Sequence, residues 1–167
     1  MTKKKSKATK LTVNLPFGIG QLELQPDEAE ERAAWELYVE LATRIAVQPL
    51  SHEEGLIREA LSSIYSLFPA TRQVLRQAGP AVAKSPNSFG PVAVEILNRG
   101  IRPFIGKWHS LLLAHEQARE TSTSQQEHER TWEHAPQFWA ELRTLNDQML
   151  AYSQALAAIA RVKTLSR

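Results

Sequence analysis

The chain has 167 residues, of which 43% are hydrophobic and 23% charged, as in an ordinary globular protein with room for one sizeable core. It contains no cysteine, which excludes disulfides, thiol catalysis and cysteine-based zinc sites. The net charge of +2 comes from five lysines in residues 1–10; the rest of the chain has 15 basic and 18 acidic residues, a net charge of −3. The five lysines of residues 1–10 are Lys3, Lys4, Lys5, Lys7 and Lys10.

Two regions follow from this distribution of charge. Residues 1–10 offer no apolar surface to offset the entropy of ordering, so we expect a disordered basic tail. Residues 11–167 are expected to form a single domain. No apolar run reaches the length of a signal-peptide core or a membrane span, which favours a cytoplasmic protein that does not bind membranes.

The segments LTVNL and IGQLELQ predict a short N-terminal β-hairpin. Each alternates apolar and polar residues, and PFG separates them. Leu11, Val13 and Leu15 would share one face of the first strand. Because two strands are not stable in isolation, the hairpin is expected to pack on the helices or on a partner.

Two or three helical segments are predicted between the hairpin and residue 78. Pro26 and Asp27 indicate the start of the first, whose predicted buried stripe contains Trp35. Ser51 and Glu54 match a capping box and predict the start of the second. A proline at residue 69 either kinks that second helix or begins a short third one.

The next pair of helices is expected at the centre of the bundle. Ser88 is a plausible cap for the first of them, and only four residues from Phe89 to His115 are charged. Gly100 can end one helix and Pro103 can begin the other. This spacing predicts a tight elbow with an extended residue 102, because a residue before proline disfavours α-helical geometry.

The stretch GKWHS, directly after this elbow, offers the strongest candidate site. One interpretation is that Trp108 fills the core and His109 is hydrogen-bonded at its edge. Another is that Arg99, Arg102 and Lys107 form, with these two residues, a patch that binds an anion or a partner at the helix start. Catalysis by His109 is the third, although no nucleophile or carboxylate lies nearby in sequence.

The last helix is predicted to begin near Pro136. Apolar residues then recur every three or four positions and form an unbroken heptad seam. Two structures fit this seam: one long helix that closes an intramolecular bundle, or a dimerising coiled coil of residues 136–163. The seam residues are Phe138, Leu142, Leu145, Met149, Tyr152, Leu156 and Ile159.

The polar residues predict no metal site, no cofactor and no enzymatic activity. Glu129 and Glu133 share a helix face that is expected to be solvated, and the chain has no phosphate-binding glycine loop and no nucleophile elbow. Histidines six residues apart lie on opposite sides of a helix, which is poor geometry for a metal. The two such pairs are His109 with His115 and His128 with His134.

The segments EILNRGIRPFIGKWH and LFPATRQVLRQAGP resemble small helical adaptor and accessory proteins of bacterial conflict (antiphage defence) operons. This resemblance implies an interaction module whose neighbours carry out catalysis, and it implies no site residue. Together the patterns predict a mainly α single-domain bundle of about five helices, with a kinked central helix pair and an N-terminal hairpin.

We expect a non-enzymatic module that binds another protein, through the last helix or the edge of the hairpin. The alternative is a nucleic-acid-binding accessory subunit that uses the lysine tail with Arg99, Arg102 and Lys107. The tail has no aromatic residue for base stacking, and a merely solubilising terminus is the competing interpretation.

Overall fold

A computed structural model describes residues 9–48 and 55–164. Within these ranges two strands precede seven α-helices, and only Ser66 separates α2 from α3. The predicted mainly α fold with an N-terminal hairpin is confirmed. The bounds are β1 Leu11–Leu15, β2 Gly20–Leu24, α1 Glu28–Ala42, α2 Ile57–Tyr65, α3 Leu67–Ala78, α4 Phe89–Ile96, α5 Arg102–Gln117, α6 Gln125–Arg130 and α7 Ala135–Ile159.

The hairpin packs its apolar face on α7. Its strands are antiparallel, with Val13 opposite Leu22. Phe17 and Gly18, at the tip, have φ values of 59° and 70°, as the central residues of a type I′ turn require. The Phe17 N–H donates to Oε1 of Gln148 at 2.8 Å, and this hydrogen bond fixes the tip against α7.

Two sequence predictions lie wholly or mostly outside the described residues. Of the basic tail, only Thr9 and Lys10 are described, and the Lys10 ammonium pairs with the carboxylate of Glu23 on β2. The capping box of Ser51 and Glu54 lies outside the described ranges.

The first helix shows where apolar spacing misled the sequence prediction. Trp35 was expected in the buried stripe of α1, but its side chain is 39% exposed. Contacts with α3 and α7 cover α1 on two sides. Ala33 and Ala34 lie in these interfaces and are at most 2% exposed. Since close helix packing favours small side chains at such contacts, the wide indole lies outside them.

The heptad seam of α7 closes the bundle from inside. The helix begins at Ala135, with Pro136 in its first turn as predicted, and all seven seam residues are at most 5% exposed. Helix α1 and strand β1 are the main elements packed against α7. The seam therefore leaves no apolar face for a second copy of the chain. In the described part of the chain no helix, α7 included, is long and apolar enough to cross a membrane.

The predicted elbow between α4 and α5 is wrong. A π-helical turn, Leu97–Ile101, joins the two helices, and Arg102 is α-helical with φ −57° and ψ −46°. Pro103 lacks an N–H, and its ring would clash with a carbonyl of the preceding turn in a regular α-helix. A π-turn inserts one extra residue and relieves this clash, so the chain continues as a helix.

Gly100 is required in this π-turn because the ring of Phe17 lies against it. A Cβ atom built on Gly100 would overlap that ring, whereas a Cβ on Gly106, six residues on, meets nothing within 4 Å. Gly100, which the sequence predicts as a helix end, is therefore the point at which the hairpin tip contacts the helix pair.

The expected central position holds for α4 and is wrong for α5. Five of the eight residues of α4 are buried. Helix α5 buries only Phe104, Trp108 and Leu112 of its 16 residues. Leu111 and Leu113 of α5 are 38% and 43% exposed. Low charge and wide apolar coverage were taken as signs of a central helix, but here they mark a helix with apolar side chains at the surface.

The two glycines predict opposite effects of one substitution. We expect Gly100→Ala to lower the free energy of unfolding by about 1–2 kcal/mol, because Phe17 must leave its site. Gly106→Ala should raise it by about 0.5–1 kcal/mol, because alanine is the better helix former and the added methyl group has space. Urea unfolding of both variants measures this difference. Changes of the same sign in the two free energies of unfolding would contradict the contact between Phe17 and Gly100.

Candidate binding site

Trp108 belongs to the core and not to a ligand site. Its side chain is 0% exposed, and its ring makes edge contacts with Phe138 at 5.4 Å and with Trp132 at 5.8 Å between centroids. The indole N–H donates to Oε2 of Glu141 at 3.0 Å. This is the role expected of Trp108 in the core interpretation.

The three cations near the π-turn do not converge on one site. Each takes a different partner, which leaves no shared pocket between them. Arg99 pairs with Glu95 at 2.8 Å, the Arg102 guanidinium lies over the ring of Phe68 at 5.1 Å, and Lys107 pairs with Glu141 at 2.5 Å.

Glu141 makes part of the stability dependent on pH. The hydrogen bond from Lys107, more than those from Gln137 and Trp108, holds the pKa of Glu141 below its ordinary value of 4.5. Its ionised form therefore stabilises the fold above that pH, and this contribution is lost as the pH falls through the lower folded-state pKa. We expect acid unfolding to begin at higher pH in Lys107→Met than in wild type. Chemical denaturation in a pH series tests this, and identical profiles would contradict it.

An apolar groove lies between α2 and α5. Its volume is about 400 Å³. Three small residues of the lining, among them Gly106, leave space between the facing surfaces of α2 and α5. Tyr65 is at one end, with its side chain 58% exposed. The lining residues of this α2–α5 groove are Arg58, Leu61, Ser62, Tyr65, Ile105, Gly106, His109 and Ser110.

His109 lies at the other end of the groove, beside an ion pair. Arg58 donates from Nε and Nη2 to the two carboxylate oxygens of Glu116, at 2.8 and 2.6 Å. The Nδ1 atom of His109 is 3.3 Å from Nη1 of the same arginine. The arrangement therefore holds the imidazole of His109 at the groove, beside a guanidinium that is already paired with a carboxylate.

Two arginines form a cationic rim next to Tyr65. The guanidinium carbons of Arg72 and Arg102 lie 5.8 and 5.1 Å from the centre of the Phe68 ring. The ring of Tyr65 is 5.9 Å from the same ring. Neither arginine forms an ion pair with a carboxylate of the described residues. We call Arg72 and Arg102 the cationic rim of the α2–α5 groove.

Neither Tyr65 nor Arg72 is predicted as a site residue from the sequence. Tyr65 directly follows Ile64 and lies outside the apolar spacing of α2, which is the one signal that the sequence holds. Arg72 lies 30 positions from Arg102, and no local pattern relates the two.

The histidines meet in a way that their spacing did not predict. The rings of His115 and His128 are stacked 3.8 Å apart at an angle of 10°. Each Nε2 bonds the backbone carbonyl of the other residue, at 2.8 and 2.7 Å, so both Nε2 atoms carry hydrogen. The pair links α5 to α6. Among residues 9–48 and 55–164, no group of three potential ligands could hold a metal ion.

The solvated acidic face predicted for Glu129 is wrong. Glu129 is 4% exposed, and its carboxylate accepts from the N–H of Ile57 at 2.6 Å and of Arg58 at 3.2 Å. It therefore caps the start of α2 from a distant part of the chain. Glu133 is exposed, as predicted. A cavity of about 720 Å³ lies beside this cap, and the buried carboxylate of Glu129 in its lining is already bonded.

A second buried glutamate caps α4. Oε1 of Glu30 accepts from the N–H of Phe89 at 3.0 Å, and Oε2 accepts from that of Asp27 at 3.3 Å. Ser88 is the N-cap residue, as predicted, but its hydroxyl accepts from the Ser85 N–H instead. Both buried carboxylates thus serve the fold and are not available for a ligand.

Comparison of the chain with family models, with curated proteins and with solved structures finds no match in any of the three. The α2–α5 groove and its cationic rim are therefore chosen as the candidate site from their geometry alone.

Proposed function

We propose that this chain is a non-enzymatic protein-interaction module that binds a partner protein through the α2–α5 groove. The observation that supports this most directly is the exposure of α5, which buries three of its 16 residues although its sequence is apolar on several sides. A helix of that composition is normally covered. Contiguous exposed apolar surface commonly marks a site of protein contact.

The exposed side chains around the groove support this role. Tyr65 is 58% exposed on α2, and Leu113 is 43% exposed on α5. Neither residue contributes to the buried core. Such side chains gain by transfer from water into a protein interface, at about 25 cal/mol for each Å² buried.

Two surfaces favoured by the sequence are less suitable. The α7 seam is buried inside the chain, so a dimer through residues 136–163 would have to use other side chains of that helix. The hairpin rests one face on α7 and its tip on the π-turn, and each strand edge offers at most five residues for pairing with a partner strand. An adaptor role in a bacterial defence system stays a prediction from the resemblance, and the neighbouring genes would test it.

Photo-cross-linking in the cells that produce the protein tests the proposal. A photoreactive phenylalanine replaces Ser110 in the groove or, as the control, the exposed Arg143 of α7. We expect a discrete adduct with a second protein from position 110 and none from position 143. No adduct from position 110, or the same adducts from both positions, would refute the proposal.

A further inference from the structure

We infer that the partner presents an acidic, apolar helical segment, whose carboxylates bind the cationic rim while its apolar side chains enter the α2–α5 groove. This inference rests on the proposed function and adds the chemistry of the partner. Three features of the structure support it. The rim arginines have no carboxylate partner among the described residues, the rim adjoins the groove through Tyr65, and the groove walls offer no backbone groups for strand pairing.

The charge of the rim calls for an anion. Arg72 and Arg102 lie over one aromatic ring and have no carboxylate partner among the described residues, while the nearby Arg99 is paired with Glu95. A guanidinium that stacks on a ring can still bind a carboxylate through its in-plane N–H groups. Arg102 uses its Nε on Oδ1 of Asn98 at 3.1 Å, which leaves the N–H groups of its two Nη atoms for a ligand. Two guanidinium groups on one aromatic ring match a carboxylate-bearing ligand in charge.

Tyr65 makes the rim and the groove one site. Its ring lines the groove and also lies 5.9 Å from Phe68, the ring that both rim arginines cover. A single ligand segment can therefore place an aliphatic side chain beside Tyr65 and a carboxylate on Arg102. The groove runs between two helices whose backbone groups are bonded within each helix, so recognition by helix-in-groove packing fits better than strand addition.

A nucleic acid fits this site less well. The walls include the aliphatic Leu61 and Ile105, and the rim supplies two cations. The residues after the lysine tail carry a net charge of −3, which repels a polyphosphate backbone, with one charge per nucleotide, more strongly than a segment with a few carboxylates. A peptide needs only a few carboxylates at the rim and gains from the apolar walls.

Selection from a phage-displayed library of random peptides tests the inference, with the full chain as bait. We expect enrichment of peptides that combine Asp or Glu with Leu, Ile or Phe at helical spacing. Affinity for a selected peptide should fall about ten- to a hundredfold in the Arg72→Gln/Arg102→Gln variant, which loses charge-assisted hydrogen bonds. Arg143→Gln, a matched change on α7, should bind like wild type.

Three outcomes separate the two proposals. In the first outcome, Gly106→Trp, which fills the groove, abolishes binding of the selected peptides, but the peptides are not enriched in acidic residues and bind the rim variant like wild type. The inference then fails and the proposed function stands. If no peptide binds, or Gly106→Trp has no effect on binding, both fail. If single-stranded oligo(dT) binds instead and Tyr65→Ala abolishes that binding, the ligand is a nucleic acid and the inference is wrong.

A salt titration of the wild-type chain tests the inference without relying on the folding of the rim variant. Affinity for an acidic selected peptide must fall as salt rises, because the exposed charges are screened. Affinity that is independent of salt would overturn the inference without any variant.

Discussion

Glu129→Ala is expected to lower the free energy of unfolding by about 2–4 kcal/mol, because it leaves the first N–H groups of α2 without an acceptor. The carboxylate is 4% exposed and accepts from both Ile57 and Arg58. Its negative charge also lies at the positive end of the helix dipole, so it stabilises α2 electrostatically as well. Urea unfolding followed by far-ultraviolet circular dichroism measures the loss.

Glu133→Ala is the matched control for this prediction. It removes the same side chain four positions on, where the carboxylate is 85% exposed, and should change stability by no more than about 0.5 kcal/mol. Glu129→Gln keeps an amide oxygen as acceptor and should fall between the two. An equal, small effect of all three substitutions would show that Glu129 does not cap α2.

Trp108→Ala is expected to have a larger effect than Glu129→Ala and to lower the free energy of unfolding by about 3–5 kcal/mol. The indole is 0% exposed, and its edge contacts hold α5 against α7 and against Trp132. Its removal leaves a cavity that the surrounding rings cannot fill. In a domain of ordinary stability this is a large part of the total free energy of unfolding.

His109→Ala tests whether that loss is specific to the buried face of α5. His109 is the next residue along the helix, but it lies in the groove and contacts Arg58 through a single 3.3 Å approach. We expect its replacement to cost less than about 1 kcal/mol. Thermal unfolding of both variants makes the comparison. A Trp108→Ala chain as stable as the His109→Ala chain would contradict the assignment of Trp108 to the core.

Local sequence patterns predicted the parts of the fold that local physics decides. Asp27 begins α1, because its side chain accepts from the Glu30 N–H as a capping residue should. Alternation of apolar residues predicted the hairpin, and the heptad spacing predicted the buried face of α7. Each of these signals lies within a few turns of the chain, so one sequence is enough to detect it.

The remaining features depend on contacts between distant residues. Glu129 lies 72 positions from the N–H of Ile57 that it caps, and Glu30 lies 59 positions from that of Phe89. No local pattern distinguishes such a buried carboxylate from a solvated one. For the same reason the apolar face of α5 was assigned to the interior, since composition does not reveal how many neighbouring elements cover a helix.

Helix α5 thus has two faces with separate tasks. Trp108 and its neighbours bind the helix to the bundle, whereas Gly106 and Ser110 face the groove and contribute little to the core. Substitutions on the groove face should therefore weaken partner binding without lowering the free energy of unfolding.

The cross-link yield from position 110 in a Gly106→Trp chain tests this separation most directly. A Cβ atom on Gly106 meets nothing within 4 Å and the groove beside it is open. We therefore expect the urea midpoint to stay at or above that of the parent protein and the adduct with the partner to vanish. An adduct that persists at full yield in this stably folded variant would mean that the partner contacts another surface.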